Sequence, residues 1–397
     1  PDDPNEIDNN NYKARAVQVI ADPPPAPEPV RVPDLTVTSV VPDATGTGGE
    51  LYKVRWTVEN IGDGAAAAQR RWIDTVYLSP TPILTYGPNT IVVGSVARGD
   101  SLLPGASYTV EQTFLLQPPT EGMYVIVVTD ANRERSQQGD VVEVDEDNNQ
   151  LSADTLVVPR APADLTISSV VVPRQNFSGE STTVEWTVTN VGADVWSGTS
   201  YWRDEVWVSP DPVFDISSKF YRDRAIKVGP FVQGNSPALA AGESYSRTAS
   251  VTLPPGIGQQ WFAHLYVDWD GGVRPNGDYA RNAYEIMSGN YARQTIPVNY
   301  REPDLEISGL VTADQAISGQ QVSLSWNVDN AGTRETRQSY WTDSVYLSRD
   351  PSLDRGDVRL VDVTRIGTLP AGGAYAAQAT VTLPEGIDGS YHLLVVT

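Results

Sequence analysis

The chain contains no cysteine and only two histidines among its 397 residues. Without cysteine it has no disulfide framework, no thiol nucleophile and no thiolate metal site. His264 and His392 lie in the apolar runs "WFAHLYV" and "SYHLLVV", where we expect histidines of the core or of a sheet face rather than catalytic ones. No run approaches the roughly 20 apolar residues of a membrane-spanning helix, so we expect no membrane insertion in this segment.

Positive charge is also scarce, with 28 lysines and arginines against 50 acidic residues and a net charge of −22. Nucleic acids and anionic lipids require a basic surface, so neither is an expected partner. The sequence has no Ser/His/Asp arrangement, P-loop or HExxH motif, and we therefore expect that the chain is not an enzyme.

A threefold internal repeat dominates the sequence. Three similar openings, "PDLTVTSVV", "ADLTISSVV" and "PDLEISGLV", begin at Pro33, Ala163 and Pro303. In each unit a tryptophan follows at one fixed offset, and these residues are Trp56, Trp186 and Trp326. The repeat therefore keeps its register over whole domains.

Each repeat has the pattern of short strands joined by turns. The segment "LYKVRWTVEN" alternates apolar and polar residues, which is typical of a half-buried strand, and no segment shows a helical period. The strand ends in Asn-x-Gly, residues that tolerate positive φ and tight turns. Together with 32 glycines and 30 prolines, the pattern predicts an all-β fold of tandem immunoglobulin-like antiparallel β-sandwich domains.

The repeat also predicts the domain boundaries. Residues 1–21 correspond to the last strand of a preceding or strand-donated repeat, and 22–32 form a proline-rich linker. Residues 33–159 and 162–299 are complete sandwiches, while 302–397 form a third sandwich lacking its last strand. Two explanations remain open: an excerpt from a longer tandem array, or a strand that completes the open sandwich of the next molecule in a head-to-tail filament.

The order of motifs resembles one known family. "PDL", "VRWTVENIG", "WTDSVYLSRDP", "LPAGGAY", "LPEGIDGSY" and a closing Glu followed by Asn-Asn (Glu143 to Asn149) occur in the sequence and resemble the CARDB domain, the cell-adhesion-related domain found in bacteria. The likeness extends over nearly the whole chain, although the second unit ends in "EIMSGN" without the paired asparagines. The resemblance implies immunoglobulin-like sandwiches in tandem arrays of large prokaryotic surface proteins with an adhesive or structural role, and it supplies no catalytic residues.

Acidic residues form two kinds of pattern. Loop carboxylates and one strand carboxylate are predicted calcium ligands, because calcium prefers six to eight oxygen ligands; they are Asp211, Asp215, Asp343, Asp350, Asp354 and Asp357. The alternative is turn chemistry, since the first loop position precedes proline in every unit and the first unit has Thr81 and Thr85 there.

The Trp-x-Asp aspartates, Asp74, Asp204 and Asp343, recur in every unit on the apolar side of a strand. A buried carboxylate requires a partner. We expect these three to lie at the rim of the sandwich and to accept hydrogen bonds from backbone N–H groups of an adjoining loop.

The sequence thus predicts a non-enzymatic, extracellular structural or adhesive protein that forms a rod or filament by contacts with itself, with surface glycans or matrix as further partners. One alternative is a carbohydrate-binding adhesin that uses the tryptophans peculiar to the second unit, which are Trp196, Trp207, Trp261 and Trp269. The other alternative is an accessory region of a larger surface hydrolase.

Overall fold

The computed structural model describes residues 15–21, 29–67, 71–131, 139–269 and 282–397. Within these ranges the regular structure is β-strand apart from one short helix, which confirms the all-β fold class. The chain divides into two compact units, 1–159 and 160–397. The first unit contains one sandwich and the second contains two.

The first sandwich is built from two sheets, β1-β3-β6 and β2-β8-β7-β4-β5. Its strands are β1 (Leu35–Pro42), β2 (Thr45–Thr47), β3 (Leu51–Asn60), β4 (Trp72–Ser79), β5 (Ile91–Arg98), β6 (Ser107–Leu115), β7 (Gly122–Val128) and β8 (Gln150–Val158). The pairings are antiparallel except for the short parallel contact between β2 and β8. This order is that of an immunoglobulin-like sandwich.

Strand β3 shows how the apolar pattern makes the core. Tyr52, Val54, Trp56 and Val58 are at most 1% exposed, whereas the alternate residues face outward. The predicted half-buried strand is therefore confirmed. The same alternation recurs in the second and third sandwiches, so each forms its own apolar core between its two sheets.

The second sandwich repeats this plan with additions. Its elements are β9 (Leu165–Val171), β10 (Asn176–Phe177), β11 (Ser181–Asn190), β12 (Tyr201–Ser209), α1 (Lys219–Arg222), β13 (Ile226–Lys227), β14 (Phe231–Gly234), β15 (Ser244–Thr252), β16 (Trp261–Val267), β17 (Tyr291–Ile296) and β18 (Val298–Asn299). The sheets are β15-β11-β9 and β13-β12-β16-β17, with β14 also on β12 and with β10 parallel to β18.

The third sandwich has two three-stranded sheets, β19-β20-β23 and β22-β21-β24. Its strands are β19 (Leu305–Thr312), β20 (Gln321–Asn330), β21 (Tyr340–Ser348), β22 (Val358–Ile366), β23 (Ala374–Thr382) and β24 (His392–Val396). In the other sandwiches the strand equivalent to β24 pairs on both edges, with β4 and β8 or with β12 and β17. Among the described residues, β24 pairs with β21 alone.

A polar joint connects the second and third sandwiches within the unit 160–397. The guanidinium of Arg337 donates to the carboxylate of Glu302 at 3.0 and 2.5 Å and to the carbonyl oxygens of Gly179 and Ser178 at 2.7 and 3.0 Å. The other oxygen of Glu302 accepts the backbone N–H of Gly256 at 2.7 Å. One linker carboxylate and one arginine thus join loops of both sandwiches.

The predicted strand at residues 1–21 lies partly outside the described residues, which begin at 15. Residues 15–21 belong to no strand, and three of their apolar side chains, those of Val17, Val19 and Ile20, are 77%, 87% and 82% exposed. The linker prediction for 22–32 also falls largely outside the described residues.

No helix in the described part of the chain is long and apolar enough to cross a lipid bilayer.

Candidate functional site

The repeated Trp-x-Asp aspartate lies in the core of each sandwich. The indole N–H of Trp56 donates to one carboxylate oxygen of Asp74 at 2.8 Å, and the Tyr108 hydroxyl donates to both oxygens at 2.9 Å. Equivalent bonds join Trp186 and Tyr245 to Asp204, and Trp326 and Tyr375 to Asp343. Each aspartate is at most 1% exposed.

This geometry corrects the expectation for the Trp-x-Asp position. The inward orientation of the carboxylate was predicted, but its donors are indole and phenol groups from the opposite sheet rather than backbone N–H groups of a rim loop. In the first sandwich the Thr129 hydroxyl also donates to Asp74, at 2.8 Å. In each sandwich a second tryptophan donates to the tyrosine hydroxyl at 3.0 to 3.1 Å, and these residues are Trp72, Trp202 and Trp341. The result is a Trp-Asp-Tyr-Trp network that links the two sheets of every sandwich.

Burial raises the pKa of the network aspartate in the first and second sandwiches. Loss of hydration raises the pKa of Asp204 to about 6, although the Trp186 and Tyr245 donors oppose that rise. The pKa of Asp74 is raised for the same reason. These carboxylates have neutral donors on their oxygens, which is the bonding of a structural core group.

A second repeated device is the asparagine at the end of the tryptophan strand. The side-chain oxygen of Asn60 accepts the N–H groups of Asp34 and Gly62, while its amide donates to the carbonyls of Gly64 and Leu102. Asn190 and Asn330 make the corresponding four bonds. One side chain therefore joins the domain entry, the turn and a third segment.

The glycine of the same Asn-x-Gly motif serves a different purpose from the one predicted. Gly62, Gly192 and Gly332 are not among the residues with positive φ. A Cβ at these positions would lie 2.3 to 2.5 Å from backbone atoms of the segment entering the domain. Glycine is needed for close approach of two backbones.

The predicted calcium ligands do not form one cluster. Asp343 lies in the core network described above. In the third sandwich Asp350 accepts the N–H of Ser352 at 2.8 Å, and Asp354 accepts that of Gly356 at 2.6 Å while its own N–H donates to Asp357 at 2.7 Å. These are the bonds expected from turn chemistry.

The second-sandwich ligands are engaged in the same manner. Asp211 pairs with Arg224 at 3.1 Å, and Asp215 accepts the N–H and hydroxyl of Ser217 at 2.8 and 2.6 Å. Over the residues that the structure describes, no group of three or more His, Cys, Asp or Glu side chains is placed to hold a metal ion. Calcium binding stays a prediction.

The tryptophans peculiar to the second sandwich are not a sugar-stacking surface. Trp196, Trp207 and Trp261 are each 6% exposed, and Trp269 is half-buried against Tyr266. Trp207 belongs to a small apolar cluster with Phe214 and Ile216, formed where the loop after β12 folds over the outer face of the sheet. Their packing explains the extra aromatics without a glycan.

His264 supports that loop. It is fully buried, with one ring nitrogen 2.9 Å from the Tyr291 hydroxyl and the other 3.0 Å from the carbonyl oxygen of Asp211. Loss of hydration lowers its pKa to about 4. The expectation of a core histidine is confirmed for His264, and His392 lies exposed on β24 as a sheet-face histidine.

The third sandwich contains a groove with a volume of about 700 Å³. One wall is formed by residues 313–318, which have no strand partner within the described residues. Its apolar lining comprises Val322, Leu347, Leu383, Ile387, Tyr391 and Leu393. In the first two sandwiches β8 or β17–β18 fills this position.

The groove leaves core-facing side chains of β24 partly exposed to solvent. Val125 and Val127 of β7 are fully buried. Leu393 and Val395 of β24 are the equivalent residues, because they pair with β21 as Val125 and Val127 pair with β4. Both are only partly buried. The third core is therefore open along one edge.

The third sandwich also differs from the other two in the hydrogen bond at the start of its entry strand. Glu143 accepts the backbone N–H of Leu35 at 2.6 Å, and Glu285 accepts that of Leu165 at 2.8 Å, so the entry strand is attached to the segment before the last strand. Leu305 is the equivalent residue of the third sandwich, and no side chain of the described residues accepts a bond from its N–H.

Comparison with solved structures gives weak similarity. A CARDB domain of a Pyrococcus furiosus protein, crystallised in complex with di-metal ions, is 23% identical over 32% of this chain and 90% of that chain, with a TM-score of 0.23. A solution structure of that domain has the same identity and score and is covered over 98%. Escherichia coli α-2-macroglobulin is 8% identical, over 87% of this chain and 32% of that chain, with a TM-score of 0.22.

Comparison with curated protein sequences gave no match. Comparison with family models gave one that coincides with the first sandwich. The resemblance drawn from the sequence motifs is confirmed there, because residues 32–153 match the CARDB family model.

Proposed function

We propose that the chain is a non-enzymatic, extracellular structural or adhesive protein whose sandwiches are joined by strand complementation into a rod or filament. The CARDB match in the first sandwich supports an adhesive role. The repeated buried carboxylates support a non-catalytic role, because their oxygens accept bonds from core tryptophan and tyrosine side chains.

The observation that carries the proposal is the groove of the third sandwich. An unpaired strand edge beside an open apolar core favours association with another strand. In the two other sandwiches that position holds a strand with buried side chains, among them Val157 and Ile296. A strand supplied by a neighbour would complete the third sandwich in the same way.

Light scattering over a concentration series, with electron micrographs of the same samples, tests assembly. We expect linear species whose mass rises with protein concentration. Leu393→Asp places a charge in the groove and should abolish them, whereas His392→Asp, on the exposed side of the same strand, should not.

A monomer of unchanged mass at every concentration would contradict assembly by strand complementation. Assembly that survives Leu393→Asp would contradict the groove as its contact.

A further inference from the structure

We infer that residues 139–149 of the first sandwich are held to the entry strand β1 by a protonated Glu143 and are released when that proton is lost. This segment, the closing loop, lies between β7 and β8 and contains no strand. Its release would be a property of the first sandwich alone, independent of the groove in the third.

The closing loop is attached to the start of the sandwich by hydrogen bonds and by apolar packing. The Glu143 carboxylate accepts the N–H of Leu35 at 2.6 Å, and the N–H of Val144 donates to the carbonyl oxygen of Pro33 at 3.0 Å. Val141 of the loop is 3% exposed and belongs to the same core cluster as Leu35. Release of the loop would therefore uncover part of the first core.

One carboxylate oxygen of Glu143 has no donor. The residue is 9% exposed, and its Oε2 accepts the Leu35 bond. Its Oε1 is buried without a hydrogen-bond partner among the described residues. Because a buried negative charge requires donors on its oxygens, this environment favours the neutral, protonated carboxyl group.

The second sandwich provides a comparison within the same chain. Both oxygens of the equivalent carboxylate, Glu285, accept hydrogen bonds, from the N–H of Leu165 at 2.8 Å and from the Asn290 amide at 2.9 Å. The oxygen without a donor is therefore not a general feature of the repeat.

The charged groups that the structure places beside Glu143 are acidic. Asp34 lies at the start of the sandwich, Asp130 follows β7 and accepts the N–H of Val141 at 2.8 Å, and Glu146 accepts the N–H of Glu143 itself at 3.3 Å. These like charges disfavour a further negative charge. Burial, together with these three carboxylates, raises the pKa of Glu143 to about 8.

Rising pH should release the closing loop. The closed loop binds the Glu143 proton more tightly than the released loop, in which the pKa returns to the ordinary value of 4.5. Closure is therefore most favoured below pH 4.5 and is weakened progressively as the pH rises to about 8. Because release then loses one proton, the released fraction should increase about tenfold per pH unit between these values.

Hydrogen exchange of the Leu35 N–H, followed by NMR in the whole chain, measures this release, because its bond to Glu143 must break before the amide exchanges. After correction for the intrinsic exchange rate, its protection should fall about tenfold per pH unit between pH 4.5 and 8. The Leu165 N–H should keep its protection over the same range. Val58 in β3 should stay better protected than Leu35 at every pH, because release of the loop leaves β3 paired with β6.

Glu143→Gln is the matched control, since it keeps an acceptor for the Leu35 N–H and has no proton to lose. Its Leu35 protection should not depend on pH. Glu285→Gln alters the equivalent carboxylate of the second sandwich and should leave the pH dependence of Leu35 unchanged. Glu146→Gln removes a neighbouring negative charge and should move the titration of the Glu143 carboxyl resonance to lower pH.

The pH dependence is measured in the parent protein, so the test does not depend on the folding of any variant. Constant Leu35 protection between pH 4.5 and 8 would overturn release by loss of a proton. The same pH dependence in Glu143→Gln would assign the titration to another group, such as Asp130. Equal protection of Leu35 and Val58 at every pH would show that the loop opens only when the whole sandwich unfolds.

Discussion

At the scale of single residues, the repeated unit depends on a carboxylate that its neighbours keep in the core. A buried charge without partners costs several kcal/mol, and the free energy is recovered only where donors satisfy it. Trp and Tyr provide these donors here, and an arginine lies over each tyrosine ring, at 4.1 Å for Arg98 on Tyr108 and 4.8 Å for Arg365 on Tyr375. The network therefore packs aromatic rings in the core and also joins the two sheets through hydrogen bonds.

Asp204 should titrate well above an ordinary aspartate. Its folded-state pKa of about 6 exceeds the ordinary value of 3.8, so the folded state holds the proton more tightly than the unfolded state. The resulting stabilisation is present below the ordinary pKa and is lost as pH rises to about 6. We expect the indole N–H resonance of Trp186 to shift with a midpoint near pH 6.

Two variants check this titration. Asp204→Asn should abolish the shift, because no proton is exchanged. Tyr245→Phe removes a donor to the carboxylate and should move the midpoint to higher pH. A midpoint near 4 in the wild-type protein would show that hydration of Asp204 is not lost.

The residue scale also shows what the sequence could predict. The alternation of apolar and polar residues along the strand predicted that the Trp-x-Asp carboxylate faces inward. The spacing between Trp56 and Asp74 in the first unit recurs between Trp186 and Asp204 in the second. Their hydrogen bond was not predictable, since it crosses between sheets and depends on how the sheets pack. Likewise Gly62 was predicted to serve a turn, whereas it meets a backbone distant in sequence.

At the scale of elements, the end of the tryptophan strand fixes the entry of the chain into each sandwich. Asn190 joins three segments, and Gly192 lets the entering backbone pass within a distance that excludes any side chain. The three-segment contact explains why the same two residues recur in all three units at the same offset from the tryptophan.

Gly192→Ala should destabilise the second sandwich. The added Cβ would lie 2.5 Å from the backbone nitrogen of Asp164, so the entry segment must move and its bonds to Asn190 are strained. Overpacking of this kind costs about 1–3 kcal/mol, which thermal unfolding would reveal as a lower midpoint. Gly234→Ala is the matched control, because its Cβ would meet nothing within 4 Å, and it should leave the midpoint nearly unchanged.

At the scale of the whole molecule, the unit 160–397 is held together by the joint around Arg337. Charge-assisted hydrogen bonds to a carboxylate with low exposure are among the stronger polar contacts in proteins. The Glu302 carboxylate has a pKa lowered to about 2 despite its burial, because Arg337 and the N–H of Gly256 stabilise the charged form. Neither contact could be predicted from the sequence, because both depend on how the second and third sandwiches meet.

Breaking this joint should free the third sandwich from the second without unfolding either. Gly179→Ala would place a Cβ 1.8 Å from a guanidinium nitrogen of Arg337, and Arg337→Ala removes the group itself. Spin labels attached at Ser250→Cys and Ala376→Cys report the distance between the two sandwiches by double electron–electron resonance. The distance distribution should be narrow in the labelled parent protein, which has no further substitution, and broad in both variants. Arg359→Ala removes an ion pair inside the third sandwich and should leave the distribution narrow.

The joint should respond to acid in the direction set by Glu302. Because its folded pKa lies below the ordinary value of 4.5, its contribution is present above that pH and is lost as pH falls toward 2. The distance distribution of the parent should therefore broaden between these values, while that of Arg337→Ala, already broad, should change little. A parent distribution that stays narrow at pH 2, or one that is equally narrow in Arg337→Ala, would show that apolar contacts rather than this ion pair set the angle between the two sandwiches.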